Sequence, residues 1–161
     1  MAMTLPVAGC TDDDGTGGGG SKERAAAAIE AARTYQQATV DQDWEAACEA
    51  RTERLRQSWG ADTIADCVEI TSTPRLRDHQ DARVSIGEAV EVSAFGPHPA
   101  GIGLGVTVET GTAKLGMPIH TALRLVPDER GTWLVDQAVN LDLGETNSTD
   151  SKAVRAALKR K

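Results

Sequence analysis

The sequence predicts an α+β domain, in which a helical hairpin plus a short third helix packs in the concave face of a curved four-stranded antiparallel sheet. Three observations predict it. Apolar residues recur at helical spacing from Glu23 to Val68, the period changes to two beyond Asp81, and short Gly- and Pro-bearing turns separate the alternating stretches. Strands that carry one apolar and one mixed face form a sheet covered on a single side, so the helices are expected to be the cover.

The first helix runs from Glu23 to Val40, with Ala25, Ala28, Ile29, Ala32, Tyr35 and Val40 on one face and Arg24, Glu30, Thr34 and Gln37 on the other. Val40 to Asp43 breaks the pattern. Asp43 caps a second helix that carries Glu45 in its first turn and presents Trp44, Ala47, Cys48, Leu55 and Trp59 along one stripe as far as Gly60. Asp62 then caps a short third helix in which Ile64, Cys67 and Val68 share a face. Thr71 to Asp81 is polar and contains Pro74, so it reads as a connector.

The first strand places Val84, Ile86, Val90, Val92 and Ala94 on one side, with Glu88 near its middle beside Gly87, where a bulge would turn that carboxylate outward. Pro97 to Gly101 turns the chain. Ile102, Leu104, Val106 and Val108 then line the second strand, and Gly111 to Gly116 turns it again. Ile119, Thr121, Leu123 and Leu125 line the third strand, opposite His120, Ala122 and Arg124. After the Asp128–Gly131 hairpin turn, Trp133, Val135, Gln137, Val139 and Leu141 share the inner side of the fourth. His120, Arg124 and Asp136 therefore read as a solvated group on the outer face, with Thr121 and Gln137 as polar exceptions inside.

The formal net charge is −7, of which residues 11–20 carry −3 and residues 152–161 carry +5, leaving −9 for the body. An acidic body repels a phosphate backbone, and nucleic acid is not an expected partner. The basic tail, with Val154 and Leu158 one turn apart, reads as a frayed terminal helix in solvent, or as a strip that touches anionic headgroups. No stretch approaches the roughly 18 apolar residues of a spanning helix.

Val7-Ala8-Gly9-Cys10 resembles a bacterial lipobox, in which the cysteine takes lipid. Residues 11–22 hold three consecutive aspartates and four consecutive glycines and read as a disordered tether. Met1 to Leu5 lacks the charge and length of an export signal, so the reading makes residues 1–10 the remnant of a signal peptide that starts upstream. The alternative is a coincidental Gly-Cys in a cytosolic chain. The resemblance implies a lipoprotein anchored through Cys10 to the outer face of the cell membrane. In that compartment Cys48 and Cys67 are expected to pair, closing a loop worth roughly 3 kcal/mol.

No metal or cofactor is expected, because the cysteines lack CxxC companions, His79, His98 and His120 are scattered, and Gly101 to Gly105 lacks the spacing and helix of a dinucleotide fingerprint. Asn147-Ser148-Thr149 matches a glycosylation sequon in a polar stretch. These residues point to no chemistry of their own.

Asp41-Gln42-Asp43-Trp44-Glu45-Ala46-Ala47-Cys48 between two helices, with Leu123-Arg124-Leu125-Val126 and Gly131-Thr132-Trp133-Leu134-Val135-Asp136 near the end, resembles nuclear transport factor 2-like lipoproteins. The resemblance spans residues 23–143 and leaves residues 144–161 as a polar tail with a short basic helix. It implies a cone with an open mouth and a non-catalytic role: binding a small apolar ligand or an envelope protein, with a homodimer through the sheet; Tyr35, Trp44, Trp59 and Trp133, at core spacing, read either as plain core or as the lining of a pocket with Thr121 and Gln137 as its polar members. The alternative it implies is an isomerase, dehydratase or cyclase working inside the cone. An inward Glu88 would be its acid.

Overall fold

A computed structural model describes residues 17–72, 82–109, 118–142 and 148–160. They form α1 (Gly17–Val40), α2 (Trp44–Glu49), α3 (Glu53–Ser58), α4 (Ile64–Thr71), β1 (Arg83–Ile86), β2 (Val90–Val92), β3 (Gly101–Glu109), β4 (Ile119–Pro127), β5 (Trp133–Asn140) and α5 (Ser151–Ala157). The class is α+β, with five helices and one open antiparallel sheet of five strands. β1 and β2 both pair with one side of β3, and β4 then β5 follow on the other.

α1 begins at Gly17, inside the stretch expected to be a tether, because a formed helix extends at the cost of only one residue's freedom per added hydrogen bond. Residues 1–16, Cys10 among them, lie outside the described residues. Ala28, Ala32, Tyr35 and Ala38 are the buried stripe of α1. The helix ends at a left-handed Gln42 (φ 61°), after which Asp43 caps α2 by accepting from the Ala46 N–H at 3.1 Å.

The single second helix expected from Asp43 to Gly60 is two helices. The cause is tertiary: the Ala50 carbonyl accepts from Val135 N at 2.9 Å, and Thr52 N donates to the Val135 carbonyl at 2.9 Å. Arg51 is thereby taken out of the helix into a parallel bridge with β5, and Thr52 caps α3 through the Leu55 N–H. Thr63, rather than Asp62, caps α4, in a reciprocal box with Asp66. The expected cysteine pair is present, a disulfide from Cys48 on α2 to Cys67 on α4.

The sheet departs from unbroken alternation through two one-residue irregularities, the first at the bulge expected beside Gly87. Ile86 pairs with Val106 and Val90 with Gly103, so four steps along the first strand face three along β3 and the strand splits into β1 and β2. On β5, Val135 pairs with Leu125 and Gln137 with Arg124, so Asp136 is the extra residue. Each insertion reverses the side on which every later residue falls. Val84 and Ile86 pack with α1, while Val90 and Val92 pack on the opposite face. Likewise Trp133 and Val135 stay inside, whereas Val139 and Leu141 move outside.

The sheet is therefore covered on both faces, not one. α1 lies across β1, β3, β4 and β5, with Leu104, Val106, Leu123 and Leu125 at the core between them. α5 lies across β2, β3 and β4 on the other face, burying Val154, Ala157 and Leu158 against Ala122. The tail helix expected to fray in solvent is a packed element. Gly103 makes room for it: a Cβ there would lie 2.9 Å from Val92 Cγ1 and 3.1 Å from Leu158 Cδ1.

Candidate functional site

A cavity of about 170 Å³ opens between the C-terminal turns of α1, the start of α2 and the inner face of the sheet. Tyr35 and Val40 reach it from α1 because they follow the buried stripe, and Trp44 reaches it from the first turn of α2. Thr121, Leu123 and Ala138 form its sheet wall, where β4 and β5 present their inner sides. The wall is mainly apolar, with hydroxyl groups on Tyr35, Thr39 and Thr121. None of the residues lining it is an acid or a histidine.

Three of the six residues predicted to line a pocket meet here: Tyr35, Trp44 and Thr121. Trp59 is 40 % exposed at the end of α3, with the Arg51 guanidinium 4.3 Å from its ring centroid. Trp133 packs against the inner core under Arg24, whose guanidinium carbon is 5.8 Å from the ring centroid. Gln137 is outside, accepting from Arg124 Nε at 3.1 Å, because the extra residue at Asp136 reverses the strand. Glu88 is exposed in the break between β1 and β2 and accepts from the Ser151 hydroxyl at 3.4 Å. The bulge expected at Gly87 turns it outward.

The polar centre that pattern reading assigned to solvent is buried. Asp136 is fully inaccessible; its Oδ1 accepts from Arg54 Nη2 at 2.6 Å, Arg54 Nε at 3.1 Å and the Thr52 hydroxyl at 3.0 Å. Its Oδ2 accepts from His98 Nδ1 at 2.8 Å. Arg54 Nη1 also donates to the Pro97 carbonyl, so one guanidinium ties α3 to β5 and to the Phe95–His98 turn. His120, expected beside Asp136, pairs instead with Asp142 at 2.7 Å. Chemically, the Asp136 group orients an imidazole, but the cavity wall contains none of its members. It acts as a clamp.

Arg124, also expected in solvent, is fully buried beneath α5 and donates to Gln137, to the Ser93 and Pro99 carbonyls at 2.8 Å each, and to the Leu158 carbonyl at 3.1 Å. Burial pulls its pKa below the ordinary guanidinium value, and the charge of Asp136 opposes that pull. Arg51 is the other hidden cation, set between the Trp59 and Tyr35 rings. The signal for both lay in neither period nor spacing, since a buried arginine and an exposed one alternate alike.

Comparison with protein-family models, curated proteins and solved structures found no match. Function must be argued from the site itself. Among the described residues, no helix is long and apolar enough to cross a membrane, and no group of three or more His, Cys, Asp or Glu side chains is placed to hold a metal.

Proposed function

We propose that this chain is an extracytoplasmic lipoprotein, held to the outer face of a membrane by lipid on Cys10, whose domain is a nuclear transport factor 2-like cone that captures a small apolar group at its mouth. The observation that carries the binding reading is the meeting of Tyr35, Trp44 and Thr121 around the 170 Å³ cavity. An apolar cavity of about 150 Å³ holds one benzene ring, so the fitting group is a single ring or a short alkyl chain. It is borne by a free small molecule or by a side chain of an envelope partner. The Cys48–Cys67 disulfide supports an oxidising compartment.

Turnover inside the cone, as by an isomerase, dehydratase or cyclase, would need an acid or base at the wall; the lining residues offer no carboxyl or imidazole, and the Tyr35 phenol is the group there that such a rival would use. Pairing of two copies through the sheet is left with its edges, since α5 occupies the outer face of β2, β3 and β4. Titration of the chain with benzene, indole and hexanoate, followed by NMR shifts of the Ala138 and Thr121 methyl groups, tests the reading. Saturable shifts are expected, and in Ala138→Leu, which fills the cavity, the Thr121 shift should vanish. Absence of saturation with all three probes overturns ligand capture. For the anchor, Cys10→Ser is expected to move the protein from the detergent phase to the aqueous phase in its host; unchanged partition overturns it.

A further inference from the structure

We propose that the outer face carries an anion site for a phosphate group, built where the buried Arg124 meets the C-terminal end of α5. A second cavity, of about 240 Å³, lies there between β2 and α5. Its lining includes Ser93, Arg124, Arg155 and Lys159, with Glu91 as the single acid. Three cations thus converge on one cavity in a chain whose body carries −9.

Arg124 is the anchor of the argument. A guanidinium has five N–H donors, and four of them are used by Gln137, Ser93, Pro99 and Leu158, every one an uncharged acceptor. The fifth, on Nη2, has no acceptor among the described residues. The charge of Asp136 acts on Arg124 from a distance, but its carboxylate bonds to Arg54, Thr52 and His98 instead, so the spare donor is left for an anion that meets it directly, and charge-assisted bonds of guanidinium to phosphate are among the strong ones.

The carbonyl end of α5 meets part of that charge through Leu158, but Arg155 and Lys159 stand four residues apart on the same helix end and add two more cations at the rim. A carboxylate carries a single charge and would fill little of 240 Å³; a tetrahedral phosphate offers several oxygens to the three donors. The chemistry is shared by inorganic phosphate or a soluble phosphoester and by the phosphodiester of a lipid headgroup. The +5 carried by residues 152–161 suits either source.

The test uses the full chain at low salt. Inorganic phosphate is titrated by NMR, and vesicles of phosphatidylcholine with and without phosphatidylglycerol are co-sedimented. Saturable phosphate binding, weakened about tenfold in Arg155→Gln/Lys159→Gln and strengthened in Glu91→Gln, is expected. Those three positions are exposed, so the variants keep the fold. Arg33→Gln, on α1, is the control and is expected to change nothing. Co-sedimentation with the anionic vesicles that free phosphate competes away makes the headgroup the occupant. Phosphate binding without vesicle binding makes the occupant soluble, and the site stands. No saturable binding of either probe, or binding that the double variant and the control alter equally, overturns it. Because the apolar cavity lies on the other face, failure here leaves capture by Tyr35 and Trp44 untouched, and the reverse holds.

Discussion

His98 Nδ1 lies 2.8 Å from Asp136 Oδ2, joining a turn to a strand 38 residues away. The contact exists because the register irregularity at Arg124/Leu125 gives β5 one residue more than β4 can pair. That residue, Asp136, is fully buried with Arg54 and Thr52 on its other oxygen. Asp136→Ala would leave the Arg54 guanidinium facing an empty, dry position. Because Arg54 itself keeps 40 % of its side chain exposed, the expected loss is about 2–3 kcal/mol in urea unfolding, at or below the low end for breaking a buried pair. His98→Leu, which removes one of the four hydrogen bonds to Asp136, is expected to cost about 1 kcal/mol. An Asp136→Ala protein as stable as the parent would show that the group clamps nothing.

Gly105 lets the segment before α5 lie flat on the sheet. A Cβ at Gly105 would be 2.6 Å from both Thr149 Cβ and the Thr149 carbonyl oxygen, closer than real Cβ contacts come. Gly105→Ala is expected to lift the tail from the outer face, at a cost of about 1–3 kcal/mol, and to expose Arg155 and Lys159 to trypsin before the rest of the chain is cut. Equal digestion rates in parent and variant would count against a docked tail.

The Cys48–Cys67 bond closes a sequence separation of 19 residues. Reduction is expected to lower the unfolding free energy by about 3 kcal/mol in the chain-entropy account. Alkylation under denaturing conditions checks the bond directly: both cysteines should stay unmodified until a reductant is added.

Arg51 sits 2 % exposed with its Nε buried and unpaired among the described residues, and its guanidinium 5.4 Å from the Tyr35 ring centroid and 4.3 Å from that of Trp59. A similar volume without the charge removes the desolvation cost while keeping the packing between the rings. Arg51→Met is therefore expected to stay within about 1 kcal/mol of the parent, and Arg51→Ala, which leaves a void, to lose about 3 kcal/mol. If Met and Ala cost the same, the charge rather than the volume holds the rings.

Asp150 caps α5 by accepting from the Ala153 N–H at 2.8 Å, and the Ala153 amide and the Ser148 hydroxyl together hold its carboxyl below the usual carboxylate range. A folded value below the unfolded one means that the stabilisation is complete above about pH 4 and is lost as pH falls through the folded value. Asp66, lowered by Thr63, follows the same sign at the start of α4. Amide exchange at Ala153 should accelerate on acidification in the parent beyond the intrinsic trend. In Asp150→Asn that excess should disappear.

Much of the architecture was legible in order and class. Ala28, Ala32 and Tyr35 were readable as an inward stripe because helical spacing is a local property. Ile102, Leu104, Val106 and Val108 were readable as one strand face for the same reason. Part of the candidate cavity followed, since Tyr35, Trp44 and Thr121 lie on elements whose phase never changes. Gln137 was misplaced because alternation carried past a bulge predicts the wrong side, Asp136 because it is itself the extra residue, and Arg124, whose face was read correctly, because α5 covers that face.

By itself, the amino-acid pattern determined the α+β class, the helix-then-strand order, the pairing of Cys48 with Cys67 and the inward phase of β3 and β4. Tertiary structure alone decided that α2 and α3 separate at Arg51, that Val90, Val92, Val139 and Leu141 face outward, and that α5 covers them over Arg124. The physical reason is that a bulge is a mismatch of residue counts between two strands. It takes its place from the partner across the ladder, which no window of one strand's sequence contains.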